Sequence, residues 1–102
     1  MSTIKIRANA EGDVITVKAL ISHPMETGLS KDKSGKVIPA DFIQEVSCEH
    51  NGVPVLTAQW GTAISKNPYL SFKFKGGKVG DTLKMSWKDN IGKSDSEETV
   101  IS

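Results

Sequence analysis

Apolar and polar residues alternate strictly in several short stretches of this chain, and this pattern constrains the fold more than any other feature. In residues 69–75, Leu70, Phe72 and Phe74 alternate with serine and lysine. Alternation with a period of two places the apolar side chains on one face of a β-strand. The same reasoning predicts further strands at residues 3–8, 14–21, 42–50, 53–60, 81–88 and 97–101.

Turn signals separate these stretches, and no segment has the period of an amphipathic helix. Asn51-Gly52 predicts a tight hairpin, since both central residues of a type I′ turn need a positive φ. Pro54 lacks an N–H and indicates a sheet edge. About seven short strands predict an all-β fold, an immunoglobulin-like antiparallel β-sandwich, with a small barrel as the alternative. The whole chain, residues 1–102, is predicted to be one domain.

Composition argues against several function classes. Thirteen basic and twelve acidic residues give a net charge of +1, whereas nucleic-acid and membrane-surface binders carry clustered basic excess. Neither nucleic acid nor a membrane is therefore predicted as a partner. No apolar run approaches the length of a membrane span, and the first residues lack the apolar core of a signal peptide.

Residues 22–41 do not fit the strand pattern. Loops of this length are uncommon in compact domains and are usually functional or mobile. We expect a small hairpin around residues 32–35, and we interpret residues 23–28, with a rigid proline and a flexible glycine, as a shaped surface loop. Lysines in the rest of the loop are expected to be solvated.

A catalytic function would have to use Cys48, His23 or His50. Cys48 and His50 are two residues apart on one strand, with Cβ atoms roughly 7 Å apart, too far for a direct hydrogen bond. Neighbouring glutamates would raise the pKa of the thiol, so a buried, inert Cys48 is the preferred interpretation. A soft-metal site formed by Cys48, His50, His23 and Met25 lacks characteristic ligand spacing, and neither a metal nor another cofactor is predicted. Trp87 is expected in the core, and Tyr69 at an interface.

Two runs of sequence carry a family resemblance. Residues 20–28 (LISHPMETG) and 67–72 (NPYLSF) resemble the SoxZ family of bacterial thiosulfate-oxidising systems. The KDK loop at 31–33, Cys48, the Asn51-Gly52 turn and the WKD turn at 87–89 follow in the expected order. The resemblance therefore extends over nearly the whole chain.

This resemblance implies a non-catalytic subunit that pairs with SoxY as a heterodimer. In the SoxYZ complex, sulfur intermediates are carried covalently on a cysteine in a flexible Gly-Gly-Cys-Gly-Gly tail of SoxY, where other Sox enzymes act on them in turn. The present chain ends without such a tail, so it resembles the Z subunit. The family also implies a periplasmic location, with export alongside a signal-bearing SoxY.

The two motif runs are the predicted partner-binding surface. The predicted residues are His23, Pro24, Met25, Glu26, Thr27, Gly28, Asn67, Pro68 and Tyr69. Two alternatives stay open at this point: a thiol-based redox or metal-binding sandwich that uses Cys48, and a free-standing adhesive or ligand-binding sandwich.

Overall fold

A computed structural model describes residues 3–102, which form seven β-strands in two antiparallel sheets and contain no helix. The all-β prediction and the sandwich are confirmed. No helix that could cross a membrane occurs among these residues. The strands are β1 (Ile4–Glu11), β2 (Val14–Ile21), β3 (Ile43–His50), β4 (Val53–Gln59), β5 (Tyr69–Lys75), β6 (Thr82–Asp89) and β7 (Ser94–Val100).

The first sheet has three strands in the order β1-β2-β5, and the second has four in the order β4-β3-β6-β7. β4 is an edge strand, as Pro54 predicted. In the β3–β4 turn, Asn51 and Gly52 have φ of 48° and 85°, as the predicted hairpin requires. The predicted hairpin in the long loop is also present, because Lys31 bridges Val37 and Asp32 N–H donates to Lys36 O over 2.9 Å.

Two strands are longer than predicted. β1 continues to Glu11, and β7 begins at Ser94 instead of residue 97. The added residues are mostly polar, so they give no hydrophobic period. Backbone pairing nevertheless extends both strands: Glu11 lies opposite Val14, and Ser94 lies opposite Lys88.

The core lies between the sheets and is formed by inward residues of β1, β2, β3 and β6, together with Met25 of the long loop and Ile101 after β7. Cys48 is one of its members and is completely buried, as predicted. The other buried apolar residues are Ile4, Ala8, Ile15, Val17, Ala19, Ile21, Met25, Ile43, Val46, Leu83, Met85, Trp87 and Ile101.

The two long edges of the sandwich differ. At one edge β1 packs against β7, and Ser102 pairs with the free side of β1 through bonds of 2.9 and 3.0 Å to Ala10 and Ala8. At the other edge lie β4, the adjoining Trp60 and β5, and the large apolar side chains that they pack against the core are half-buried. We call this row the open seam; its members are Leu56, Trp60, Leu70, Phe72 and Phe74.

Gly77, in the turn after β5, lies where no side chain fits. A Cβ added there would be 2.5 Å from Cγ1 of the fully buried Ile15 and 3.3 Å from a ring carbon of Phe74. We expect Gly77→Ala to lower the free energy of unfolding by about 1–3 kcal/mol, as overpacking does. Gly61→Ala is the control, because a Cβ there has no atom within 4 Å. Urea unfolding of both variants measures the difference, and equal midpoints would contradict the expectation.

Candidate functional site

The loop between β2 and β3, residues 22–42, packs against the segment that leads into β5. His23 N–H donates to Asn67 Oδ1 over 3.1 Å, and Asn67 N–H donates to the His23 carbonyl over 3.0 Å. Ile21 N–H donates to the Pro68 carbonyl over 3.0 Å. The structure thus brings the two motif runs together at one end of the sandwich.

Three of the predicted partner-binding residues are inside the protein. His23 and Met25 are 3% and 5% exposed, and Pro68 is also buried. The His23 ring meets Trp87 edge-on at a centroid distance of 5.0 Å, while Ile43 N–H donates to Met25 Sδ over 3.3 Å. The interpretation of residues 23–28 as a surface loop is therefore wrong for His23 and Met25, because their side chains fill this end of the core.

The hydrogen bonds of His23 fix its tautomer. Met25 N–H donates to Nδ1 over 3.1 Å, so the ring hydrogen of the neutral imidazole lies on Nε2. Nε2–H then donates to Asp89 Oδ2, 3.2 Å away. Met25 adopts a φ of 48°, a left-handed conformation that is uncommon for a residue other than glycine. The imidazole thus joins the loop backbone to the end of β6.

Asp89 is a buried carboxylate with a full set of donors. Its Oδ1 accepts Ile91 N–H over 3.2 Å and Lys93 N–H over 2.7 Å, which closes the β6–β7 turn. Burial acts to raise the pKa of Asp89, but the hydrogen bonds from His23, Lys93 and Ile91 outweigh it, and the pKa lies below its usual value. The carboxylate is therefore ionised in the folded protein at neutral pH.

Asp41 and Lys93 complete this cluster. Lys93 Nζ is 3.1 Å from Asp41 Oδ2 and 3.8 Å from Asp89 Oδ2. Asp41 Oδ1 is 3.4 Å from His23 Nε2, is shielded from solvent and makes no hydrogen bond with residues 3–102. The ammonium group thus balances two carboxylates at the surface side of the cluster.

The ligand atoms of His23, Asp41 and Asp89 lie within 4.8 Å of one another, as in a small metal site. Two features disfavour a metal there. His23 Nε2 carries a hydrogen and has no free lone pair while Met25 N–H occupies Nδ1, and Lys93 already supplies a cation to both carboxylates. The cluster is a hydrogen-bond network that holds the loop to the sandwich.

Cys48 does not have the surroundings of a reactive thiol. Desolvation in the core, together with the nearby charge of Glu49, raises its pKa to about 11. A thiol in this state is protonated at neutral pH and shielded from reagents. The redox alternative therefore has no support from the geometry of this residue.

His50 points to the same face as Cys48, as expected, but its partner is Asp81. The two side chains are joined by a 2.7 Å contact between His50 Nε2 and Asp81 Oδ2. This bond is the main cause of the lowered pKa of Asp81. His50 also packs against Phe74 of the open seam at a centroid distance of 5.2 Å.

The remaining predicted residues reach the surface. Pro24, Asn67 and Tyr69 are exposed, and the last of these is 62% accessible. Glu26, Thr27 and Gly28 are half-buried. Tyr69 lies beside Leu20 in the sheet register, on the outer face of the three-stranded sheet.

Comparison with known proteins places this architecture in a family. The model of a family described as sulphur oxidation protein SoxZ matches residues 4–100. The chain belongs to the SoxZ family. No curated protein sequence matches it. Among solved structures, hypothetical protein PH1083 from Pyrococcus horikoshii OT3 is 20% identical with a TM-score of 0.65, over 98% of this chain and 88% of that one. At this identity the likeness shows the shared fold alone.

Sequence reasoning did not identify Asp41, Asp89 and Lys93 as partners of this SoxZ-family loop. Asp89 is 66 residues from His23 and Asp41 is 18, so no local spacing connects them. One signal was present. Asp89-Asn90-Ile91-Gly92 is a turn sequence that ends an inward-facing strand, where an aspartate accepts the N–H groups of its own turn.

Proposed function

We propose that this SoxZ-family protein is the non-catalytic subunit that pairs with SoxY, which carries the covalently bound sulfur intermediates. Its single cysteine is completely buried and has a raised pKa, which supports a role without covalent chemistry of its own. Other Sox enzymes would reach this chain through the SoxYZ complex. The family supports a periplasmic location.

The observation that carries the proposal is the open seam between β4 and β5. The members of the open seam pack against the core but are only half-buried by residues 3–102. Large aromatic and aliphatic side chains that are half-buried in a lone chain become fully buried when a partner packs on them, which is how interface anchors act. β4 and β5 are also edge strands, each paired with one neighbour within its sheet, and an edge strand can pair with another chain.

The exposed part of the motif runs extends this surface at one end. Pro24 and Asn67 are exposed, while Glu26, Thr27 and Gly28 are half-buried. Beneath this surface lie the buried side chains of His23, Met25 and Pro68. An obligate pair of this kind buries about 2,000 Å² or more in total, which needs both the seam and the loop.

Size-exclusion chromatography of the purified chain with purified SoxY at micromolar concentration tests the pairing. We expect one co-eluting complex, and Phe72→Glu should raise the Kd by about 30-fold or more, since hot-spot residues contribute about 2 kcal/mol or more. Phe72→Ala, which adds no charge, should give a smaller increase. Separate elution of the wild-type proteins would overturn the proposal.

Val100→Glu is the matched control for the seam. Val100 is 59% exposed on β7, at the opposite end of the four-stranded sheet from β4. The change adds the same charge to an exposed apolar position, and we expect it to leave the Kd unchanged. Thermal unfolding of each free variant separates a loss of binding from a loss of fold. Equal loss of binding in Phe72→Glu and Val100→Glu would reject the seam as the docking surface.

A further inference from the structure

The outer face of the three-stranded sheet is strongly basic, although the whole chain is nearly neutral. Its exposed side chains include five of the thirteen basic residues and one of the twelve acidic ones, Glu11. The remaining eight basic and eleven acidic residues give the rest of the chain a net charge of −3. We call this surface the basic face; its basic residues are Lys5, Arg7, Lys18, Lys73 and Lys75.

Ion pairs do not neutralise these basic residues in the part of the chain that the structure describes. No ion pair among residues 3–102 joins any of the five to a carboxylate. Arg7 lies directly opposite Lys18 in the β1–β2 register. On the β5 side, the residue opposite Lys18 is the uncharged Ser71. Like charges opposite one another on adjacent strands destabilise a sheet. The sheet therefore maintains an unfavourable charge arrangement at its centre.

The outer face of the other sheet shows the contrasting arrangement. Lys84 of β6 lies opposite Glu49 of β3 on one side and opposite Glu98 of β7 on the other. Lys88 lies opposite Glu45 in the same way. This sheet places complementary charges next to each other, so it contrasts with the like-charge pair of Arg7 and Lys18 on the basic face.

Apolar side chains and a groove lie at one end of the basic face. Lys5, Leu20 and Tyr69 form one cross-strand row, in which Leu20 is 40% and Tyr69 is 62% exposed. They line a groove of about 600 Å³ together with Arg7 and Lys18, and Glu97 and Glu98 contribute to its lining. Tyrosine and arginine are both enriched at protein interfaces.

We propose that the basic face docks an acidic surface of a protein partner. A partner carboxylate between Arg7 and Lys18 would relieve their repulsion, and Leu20 and Tyr69 would anchor the contact. The net charge of −3 on the rest of the chain opposes binding to an extended polyanion such as DNA or an anionic membrane. The surface uses residues separate from the open seam, so it goes beyond the proposed pairing with SoxY.

Photo-crosslinking in the native host tests this proposal. A photoreactive phenylalanine analogue replaces Ser71, which is exposed opposite Lys18, and a control replaces the exposed Ser96 on the outer face of the four-stranded sheet. We expect a protein adduct at position 71 and not at 96, with crosslinked peptides rich in Asp and Glu. Adducts with nucleic acid or lipid alone, or with non-acidic peptides, would overturn the proposal.

Two substitutions with the same change in net charge provide the second readout. Lys18→Glu should reduce the adduct about tenfold, equivalent to about 1.4 kcal/mol, and should also raise the unfolding midpoint, because it turns a like-charge pair with Arg7 into an opposite-charge pair. Lys84→Glu should leave the adduct unchanged and lower the midpoint, since it places three glutamates in a row. If Lys18 had only a structural role, Lys18→Glu would not both raise the unfolding midpoint and reduce the amount of adduct.

The seam variant separates this proposal from the proposed function. Phe72→Glu should weaken pairing with SoxY by about 30-fold or more and leave the adduct at position 71 intact. If the wild-type chain fails to bind SoxY but forms the adduct, the proposed function is wrong, and the proposal that the basic face docks an acidic partner is retained. If Phe72→Glu removes both, the basic face has no separate partner, and the inference is overturned.

Discussion

Replacement of His23 by alanine lowers the free energy of unfolding by about 3 kcal/mol or more in the expected result. The change leaves the buried, ionised Asp89 without its imidazole donor, and a charged group left without a partner costs more than a neutral one. It also opens a cavity beside Trp87, whose ring packs on the imidazole at 5.0 Å. For a domain of this length, the loss corresponds to a decrease in Tm of about 12 °C or more.

His50→Ala is the matched control, because both histidines contact an aspartate through Nε2. The side chains of His23 and Asp89 are 2% and 0% exposed, whereas those of His50 and Asp81 are 17% and 12% exposed. Water can replace the lost bond at His50 more readily, so its variant should lose less than half as much stability. Urea unfolding of both variants measures this comparison. Equal losses would show that burial of the His23 cluster contributes no additional stability.

The strands were predictable because each one repeats a period of two between turn residues. Leu83, Met85 and Trp87 alternate inward with polar neighbours, and the structure buries all three. The ends of β1 and β7 were less predictable, because Asn9, Glu11 and Ser94 extend their strands by backbone pairing alone. A sequence pattern reports where side chains are buried, and hydrogen bonding continues beyond that point.

The long loop shows why only part of the candidate site could be predicted from the sequence. The HPMETG run was identified as unusual, but His23 and Met25 were expected at the surface. Their burial depends on Trp87, Asp89 and Ile43, which are distant in sequence and meet the loop through the sheet topology. No local spacing encodes those contacts.

The basic face illustrates a second limit on what the sequence alone can predict. A net charge of +1 argued against a binder of nucleic acid or membranes, which carries clustered basic charge, yet the register places Arg7 opposite Lys18 and groups five basic residues on one face. Total charge is a sum over all faces, whereas binding depends on one face at a time. The pairing register of β1, β2 and β5 is therefore needed before charge can be interpreted.

Asp89→Asn should lower the free energy of unfolding at pH 7 by about 2–3 kcal/mol, as loss of a buried hydrogen bond to a charged group does. The amide oxygen can keep the bonds from Ile91 and Lys93 N–H, but its NH₂ group then faces His23 Nε2–H. Two donors face each other there, and His23 cannot change its tautomer while Met25 N–H occupies Nδ1. Asp13→Asn, at an exposed turn residue, is the control and should be nearly neutral.

The pH dependence of this difference identifies the carboxylate as its source. The folded-state pKa of Asp89 lies below its usual value, because bonds from His23, Lys93 and Ile91 outweigh the effect of burial. A lowered folded pKa means that the stabilisation is complete above the unfolded pKa of about 3.9 and is lost as the pH falls through the folded value. Wild-type stability should therefore decrease more steeply than that of Asp89→Asn below about pH 4. Urea unfolding at a series of pH values tests this, and parallel profiles for the two proteins would show that folding does not lower the pKa of Asp89.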